Sequence, residues 1–224
     1  MNSVEKLPEV KSLAAAIDAE ICSLPVHSTS TERAVRQKYS RGLKKAEPGF
    51  IFDLARELLN VYQHRWIAYE LIRAHTAAFH NLGEEIIEEF GQGINSWESV
   101  DSFARTLSGP AWLRGKISDD LILKWARSEN VWYRRAALVS TVAWNVRSQG
   151  GPGDVTRTLA ICRILVADHE DLVVKAQSWA LRELVIHDPD AVKVFLKENE
   201  NTLAARVKYE VGNKLRTGLK NPRR

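Results

Sequence analysis

The chain has 224 residues, 45% of them hydrophobic and 27% charged, with a formal net charge of +4. That apolar content supports a continuous core and excludes a disordered chain, and the small basic excess permits an anionic partner without requiring one. Twelve glycines and seven prolines are too few for the many turns of a sheet-rich fold, so the composition favours long helices.

Hydrophobic spacing predicts a first helix over residues 7–24, with Leu13, Ile17, Ile21 and Leu24 on one stripe, ended by Pro25. Acids run through this segment, which argues against a secretory or transit signal. His27 to Arg33 supplies several N-cap residues before a basic helix that continues through Tyr39. Pro48-Gly49 is read as a break, residues 50–62 as a helix, 64–79 as one further helix and 84–90 as a short acidic one. Gly91, Gly93 and Asn95 mark a loop. Ser96 is read as the cap of the next helix, although Ser96-x-x-Ser99 falls short of a full capping box.

Ser118-Asp119-Asp120 should cap a helix through Arg127, and Ser128 to Asn130 form a tight connector. A strongly apolar helix follows over residues 131–146. Gly150-Gly151-Pro152-Gly153 is the clearest loop. Helices are expected at about 154–168, 170–187 and 190–200, and a basic final helix from Ala204. No apolar run approaches the ~18 residues of a membrane span.

The segments RWIAYELIRA, WESVDSFARTL, YRRAALVSTV, VVKAQSWALREL and ARVKYEVGNKL recur at roughly 31–40 residues. This is the period of HEAT-type helical pairs, in which each pair buries its apolar face on the next. Small residues near their middles (Ala68, Ser102, Ala136, Ala176) allow close approach. The fold expected is an all-α, HEAT-like superhelical solenoid whose second helices line a concave DNA-binding groove. It is read as one domain over residues 1–224, with 1–49 as a divergent N-terminal helical cap and 217–224 as a basic tail. An irregular helical bundle is the alternative.

Four residues on these second helices draw attention. Trp97 and Asp101 stand four apart and share a helix face; such a pair is more often core plus solvent. Arg135 borders a buried apolar run and could equally be a solvated charge. Trp179 could equally be core. On one groove the four would bring two indoles, a carboxylate and a guanidinium together.

With Trp97-Glu98-Ser99-Val100-Asp101-Ser102, Ser128-Glu129-Asn130-Val131-Trp132-Tyr133-Arg134-Arg135-Ala136-Ala137, Lys175-Ala176-Gln177-Ser178-Trp179-Ala180-Leu181-Arg182-Glu183 and the following Asp188-Pro189, the chain resembles the AlkD-type DNA glycosylases of the DNA alkylation repair family. The resemblance covers most of the chain from about Phe50. It implies that Trp97, Asp101, Arg135 and Trp179 form the active-site cleft and that Tyr39 touches DNA. The segment RGLKKAEPGF departs from the family, which usually has aromatic residues there.

The resemblance also implies a reaction: hydrolysis of the N-glycosidic bond of 3-methyladenine or 7-methylguanine in duplex DNA. Such bases are cationic and leave as neutral molecules, so one carboxylate suffices where an ordinary glycosidase needs two. Arg135 would hold a backbone phosphate. Arg134, Lys175, Arg206, Lys208 and Lys214 are further phosphate candidates, each equally readable as a solvated charge. No cofactor is expected. The six histidines (27, 64, 75, 80, 169, 187) lack HxxxH or HExxH spacing, so no metal is expected. Cys22 and Cys162 form no CxxC pair, which fits a reducing cytoplasm. A monomer is the default. The rival readings are a non-catalytic nucleic-acid-binding repeat protein and a protein-interaction scaffold.

Overall fold

The structure, a computed structural model, describes residues 9–222, and among them there is no β-strand. The expected starting residue Leu7 and the terminal Arg223 and Arg224 lie outside the described residues. The helices group into two compact units, Met1–Ile86 and Ile87–Arg224.

In the first unit, α1 (Val10–Cys22) packs on α3 (Pro48–Asn60), α3 on α4 (Arg65–Ala74), and α2 (Thr29–Gly42) on α1 and α4. The stripe expected in α1 holds at Leu13, Ile17 and Ile21, which are buried. Ser28 starts α2 with a reciprocal box: its hydroxyl accepts from the Thr31 N–H, and the Thr31 hydroxyl accepts from the Ser28 N–H. Pro48 does not break the chain but occupies the first turn of α3, where its missing N–H costs nothing. Leu54 and Leu58 are fully buried on the inner face of α3, and truncating either to Ala should cost about 2–5 kcal/mol.

The single helix expected over 64–79 is divided at His75. This residue is extended, and its Nδ1 accepts the Ala78 N–H at 3.0 Å to start the short α5 (Thr76–His80). A side-chain acceptor competing for a free backbone donor thus ends one helix and opens the next. The acidic α6 (Glu84–Gly91) follows.

In the second unit, α7 (Trp97–Phe103) continues through a π-helical stretch, Ala104–Ser108, into α8 (Gly109–Leu113). After α9 (Asp119–Ala126) comes the central α10 (Val131–Asn145), packed against α7, α8, α9 and α12 (Asp171–Leu184). Helix α11 (Val155–Ile164) lies on α10 and α12. Helix α13 (Pro189–Glu198) follows, and α14 (Ala205–Thr217) packs on α12. The order α7–α10–α12–α14 is the stacking of second helices that the repeat predicts.

Side-chain links carry the same period. Asp101 to Arg135 spans 34 residues, Arg134 to Asp168 spans 34, Ser178 to Glu210 spans 32 and Asp171 to Arg206 spans 35. Within the second unit, neighbouring repeats are thus tied at a similar offset.

Close approach explains Gly109. A Cβ there would stand 2.9 Å from the Ser140 carbonyl oxygen and 3.0 Å from the Ala143 Cβ, so α8 can meet α10 at that depth only without a side chain. The tail is partly tied down: Lys220 Nζ lies 3.4 Å from Glu210, and Asn213 donates to the Lys220 carbonyl. No helix among the described residues is long and apolar enough to cross a membrane.

Candidate active site

The site is built on α7. Ser96 and Ser99 form a complete reciprocal cap, correcting the expectation of a partial one. Ser99 Oγ accepts the Ser96 N–H at 3.0 Å, and Ser96 Oγ accepts the Ser99 N–H at 3.2 Å. A serine at the third helical position performs here what Glu or Gln usually does. Val100 and Phe103 are buried, and the Phe103 ring packs on Trp125, which packs on Tyr133 of α10. This fixes the rotation of α7. Trp97 and Asp101, on the other side, are left at the surface and half-buried respectively.

Arg135 meets Asp101 from α10 in a two-pronged pair: Nε donates to Oδ1 at 2.9 Å and Nη2 to Oδ2 at 2.7 Å. Its third nitrogen, Nη1, donates to the Leu172 carbonyl at 2.5 Å. The Arg135 side chain is only 7% exposed and that of Asp101 18%. Three of the five N–H donors of the guanidinium expected to hold a phosphate are thus engaged within the protein, two of them on the carboxylate. The paired alanines after Arg135 are fully buried, which places α10 close to its neighbours and so brings the arginine within reach of α7.

Trp97 is 55% exposed, one turn before Asp101. Trp179, on α12, is half-buried. Its Nε1 donates to Glu183 at 3.0 Å, and its ring faces the Arg105 guanidinium 5.3 Å away. Arg105 belongs to the π stretch and follows Asp101 by four residues, so it joins α7 to Trp179. The structure thus links Asp101 directly to Arg135, and Trp179 to the α7 chain through Arg105. Trp97 stands on α7 without a described ring or hydrogen-bond contact.

Two residues here escaped the sequence reading. Arg105 was hidden in an ordinary polar stretch, and only its four-residue offset from Asp101 could have flagged it. Arg182 donates to Ser178 Oγ at 3.3 Å, and burial pushes its guanidinium below the usual arginine range, against the raising fields of Glu210 and Glu183. Its position four residues after Ser178 was the available signal.

The other proposed contacts all have partners inside the chain. Arg134 donates to Asp168, to the Ser128 carbonyl and to the Glu129 carbonyl, a half-buried clamp on the connector before α10. Lys175 pairs with Asp171, and Arg206 bridges Asp171 and Glu210. Lys208 and Lys214 cap the Glu200 and Gly218 carbonyls at 2.8 Å each. In the first unit, Tyr39 donates to Glu20 at 3.0 Å, and burial, then that bond, raises its phenol. Among the described residues no group of three or more His, Cys, Asp or Glu is placed to hold a metal ion.

Stacked helical repeats carrying an arginine-clamped aspartate beside an exposed tryptophan define a helical-repeat protein with one prepared carboxylate. A family model for DNA alkylation repair enzymes matches residues 27–212, so the chain belongs to that family. No curated protein matches it.

Proposed function

We propose that the protein is a DNA glycosylase that releases cationic alkylated purines, such as 3-methyladenine and 7-methylguanine, from duplex DNA. The observation that carries this is the state of Asp101: oriented by two hydrogen bonds from one buried guanidinium, yet not saturated. A carboxylate offers about four lone-pair sites. Arg135 takes two, so each oxygen keeps acceptor capacity for a water.

The reaction balances with these groups alone. The bond from C1′ to the base nitrogen breaks and its electron pair returns to the purine, which was cationic and leaves neutral. Positive charge develops on the sugar, and Asp101 stabilises it electrostatically. A water held by Asp101 adds to C1′, and its proton passes to the carboxylate and then to solvent. Trp97, exposed on the same helix face, offers a ring to a cation, worth up to about 2 kcal/mol where water is excluded. Trp179 already carries a guanidinium over its ring, a cation-accepting geometry.

The test is release of 7-methylguanine from methylated duplex DNA by the wild type and by Asp101→Asn, with circular dichroism to check folding. Removing a fixed electrostatic group of this kind costs about 10²–10³ in rate. If the wild type releases no methylated purine, the enzymatic reading fails.

A further inference from the structure

Two arginines beside Trp179 keep donors that the protein does not use. Arg105, in the π stretch after α7, is exposed, and its guanidinium lies over the Trp179 ring, 5.3 Å from the centroid. Helices α7 and α12 both pack on α10, so this one side chain bridges repeats that are not neighbours in the stack. Among the described residues, no carboxylate, carbonyl or hydroxyl meets the Arg105 guanidinium. Contact with a ring face leaves its N–H donors, which radiate in the guanidinium plane, open to an anion.

Arg182 follows Trp179 by three residues on the same side of α12 and is half-buried. Its Nε donates to Ser178 Oγ at 3.3 Å. Ser178 in turn donates to Glu210 of α14 at 2.6 Å, so the Arg182 guanidinium is anchored on the side of the indole toward α14. No acceptor among the described residues meets its Nη1 or Nη2. The nearby acids are turned to other groups: Glu183 accepts the Trp179 Nε1–H, and Glu210 accepts from Ser178 and Arg206. Neither pairs with Arg182, and burial pushes its guanidinium below the usual arginine range. A partly desolvated charge bonded to one neutral hydroxyl lacks a counter-charge, which an arriving anion would supply.

We infer that Arg105 and Arg182 are phosphate contacts for one strand of duplex DNA, which crosses α12 with one guanidinium on each side of Trp179. Two separate donor groups, approaching the indole from the α7 side and from the α14 side, suit a polyanion. A single small anion would engage only one of them. The assignment rests on the reading that this surface meets duplex DNA.

The experiment measures binding of undamaged duplex DNA by fluorescence anisotropy over a range of salt concentrations. It compares the wild type with Arg105→Gln, Arg182→Gln and Arg163→Gln. Arg163 is an exposed arginine of α11 and controls for the loss of one charge. Removing one phosphate contact lowers the slope of log K against log salt by about one. Arg105→Gln and Arg182→Gln should each do this and weaken binding several-fold at low salt, while Arg163→Gln keeps the wild-type slope. Thermal unfolding checks the fold of each variant. Arg105→Gln alters an exposed side chain and decides the matter alone if Arg182→Gln does not fold. A wild-type slope in either folded variant, an equal loss in Arg163→Gln, or no binding of the duplex by the wild type would overturn the assignment. Binding of undamaged DNA needs no base release, so the two readings fail separately. Unchanged slopes leave the glycosylase test standing, and lowered slopes in a protein that releases no methylated purine remove only the enzymatic reading.

Discussion

Glu70 in the first unit and Asp101 in the second are two carboxylates of nearly equal exposure, 16% and 18%, both gripped by arginine. They differ in saturation. Glu70 accepts from Arg33 Nε at 2.8 and 3.1 Å, from Arg33 Nη2 at 2.6 Å and from Arg36 Nε at 3.2 Å. Arg33 in turn lies over the Trp66 ring. Asp101 takes only the two bonds of Arg135. A fully occupied carboxylate is a structural tie between α2 and α4, whereas one with capacity to spare is positioned for a ligand. Burial alone would not separate them.

The contrast can be broken most sharply at Arg135. Replacing it with Met removes the donor from a buried pair and strands both Asp101 and the Leu172 carbonyl. Loss of one partner of such a pair costs about 3–5 kcal/mol, so chemical denaturation should show a large drop in stability together with lost base release. At the other carboxylate, Glu70→Gln should cost about 1–3 kcal/mol through unsatisfied donors and leave base release at the wild-type level. Equal losses of activity from the Glu70 and Asp101 variants would erase the distinction. Trp97→Ala sharpens it on the substrate side. The side chain is more than half exposed, so stability should change by no more than about 0.5 kcal/mol, while base release falls by up to about 30-fold, the equivalent of about 2 kcal/mol.

The smallest effect is expected from acid. Glu210 is a third carboxylate and, like Glu70, a well-occupied one, with Ser178, Arg206 and Lys220 as partners. Burial alone would raise it, but hydrogen bonds from Ser178 and Arg206 and the Lys220 charge outweigh burial and hold it below the usual range. A group depressed in the folded state contributes stability above its unfolded pKa and loses it as pH falls through the folded value. Stability should therefore decline below about pH 4.5, and Glu210→Gln should flatten that part of the profile, as read by Tm against pH.

Much of the architecture was legible because apolar period and caps report on local backbone. The stripe of α1, the Ser118 cap of α9 and the loop at Gly150–Gly153 all follow from neighbouring residues. The misses involve side chains acting on backbone. The His75 imidazole ends α4 because it outcompetes a carbonyl for one N–H, and Pro48 opens α3 because its position within the first turn decides its effect. For the candidate site, residue types on the second helices left Trp97, Asp101, Arg135 and Trp179 each equally readable as core or solvated surface, and the family resemblance singled them out. Partner choice was invisible, since a sequence does not say whether a guanidinium reaches outward or across to the helix 34 residues earlier. The lysines and arginines expected at phosphates illustrate the same gap: Arg134, Lys175 and Arg206 each have an acid within reach from a neighbouring turn or repeat.

The wide turn at Ala104–Ser108 has its own consequence. Gly109 bonds back five residues to Ala104 rather than four, so one surplus residue is stored in an otherwise regular rod. Each residue of an α-helix turns the chain by about 100°. The bulge therefore works as a phase shifter, letting the half that carries Asp101 and the half that is wedged by Gly109 against α10 face directions that uninterrupted winding could not reconcile. Winding the same residues as a plain α-helix would swing the carboxylate about a quarter-turn from its arginine, with every side chain of the site still present, whereas excising one residue there would straighten the rod and keep its two halves in their present phase.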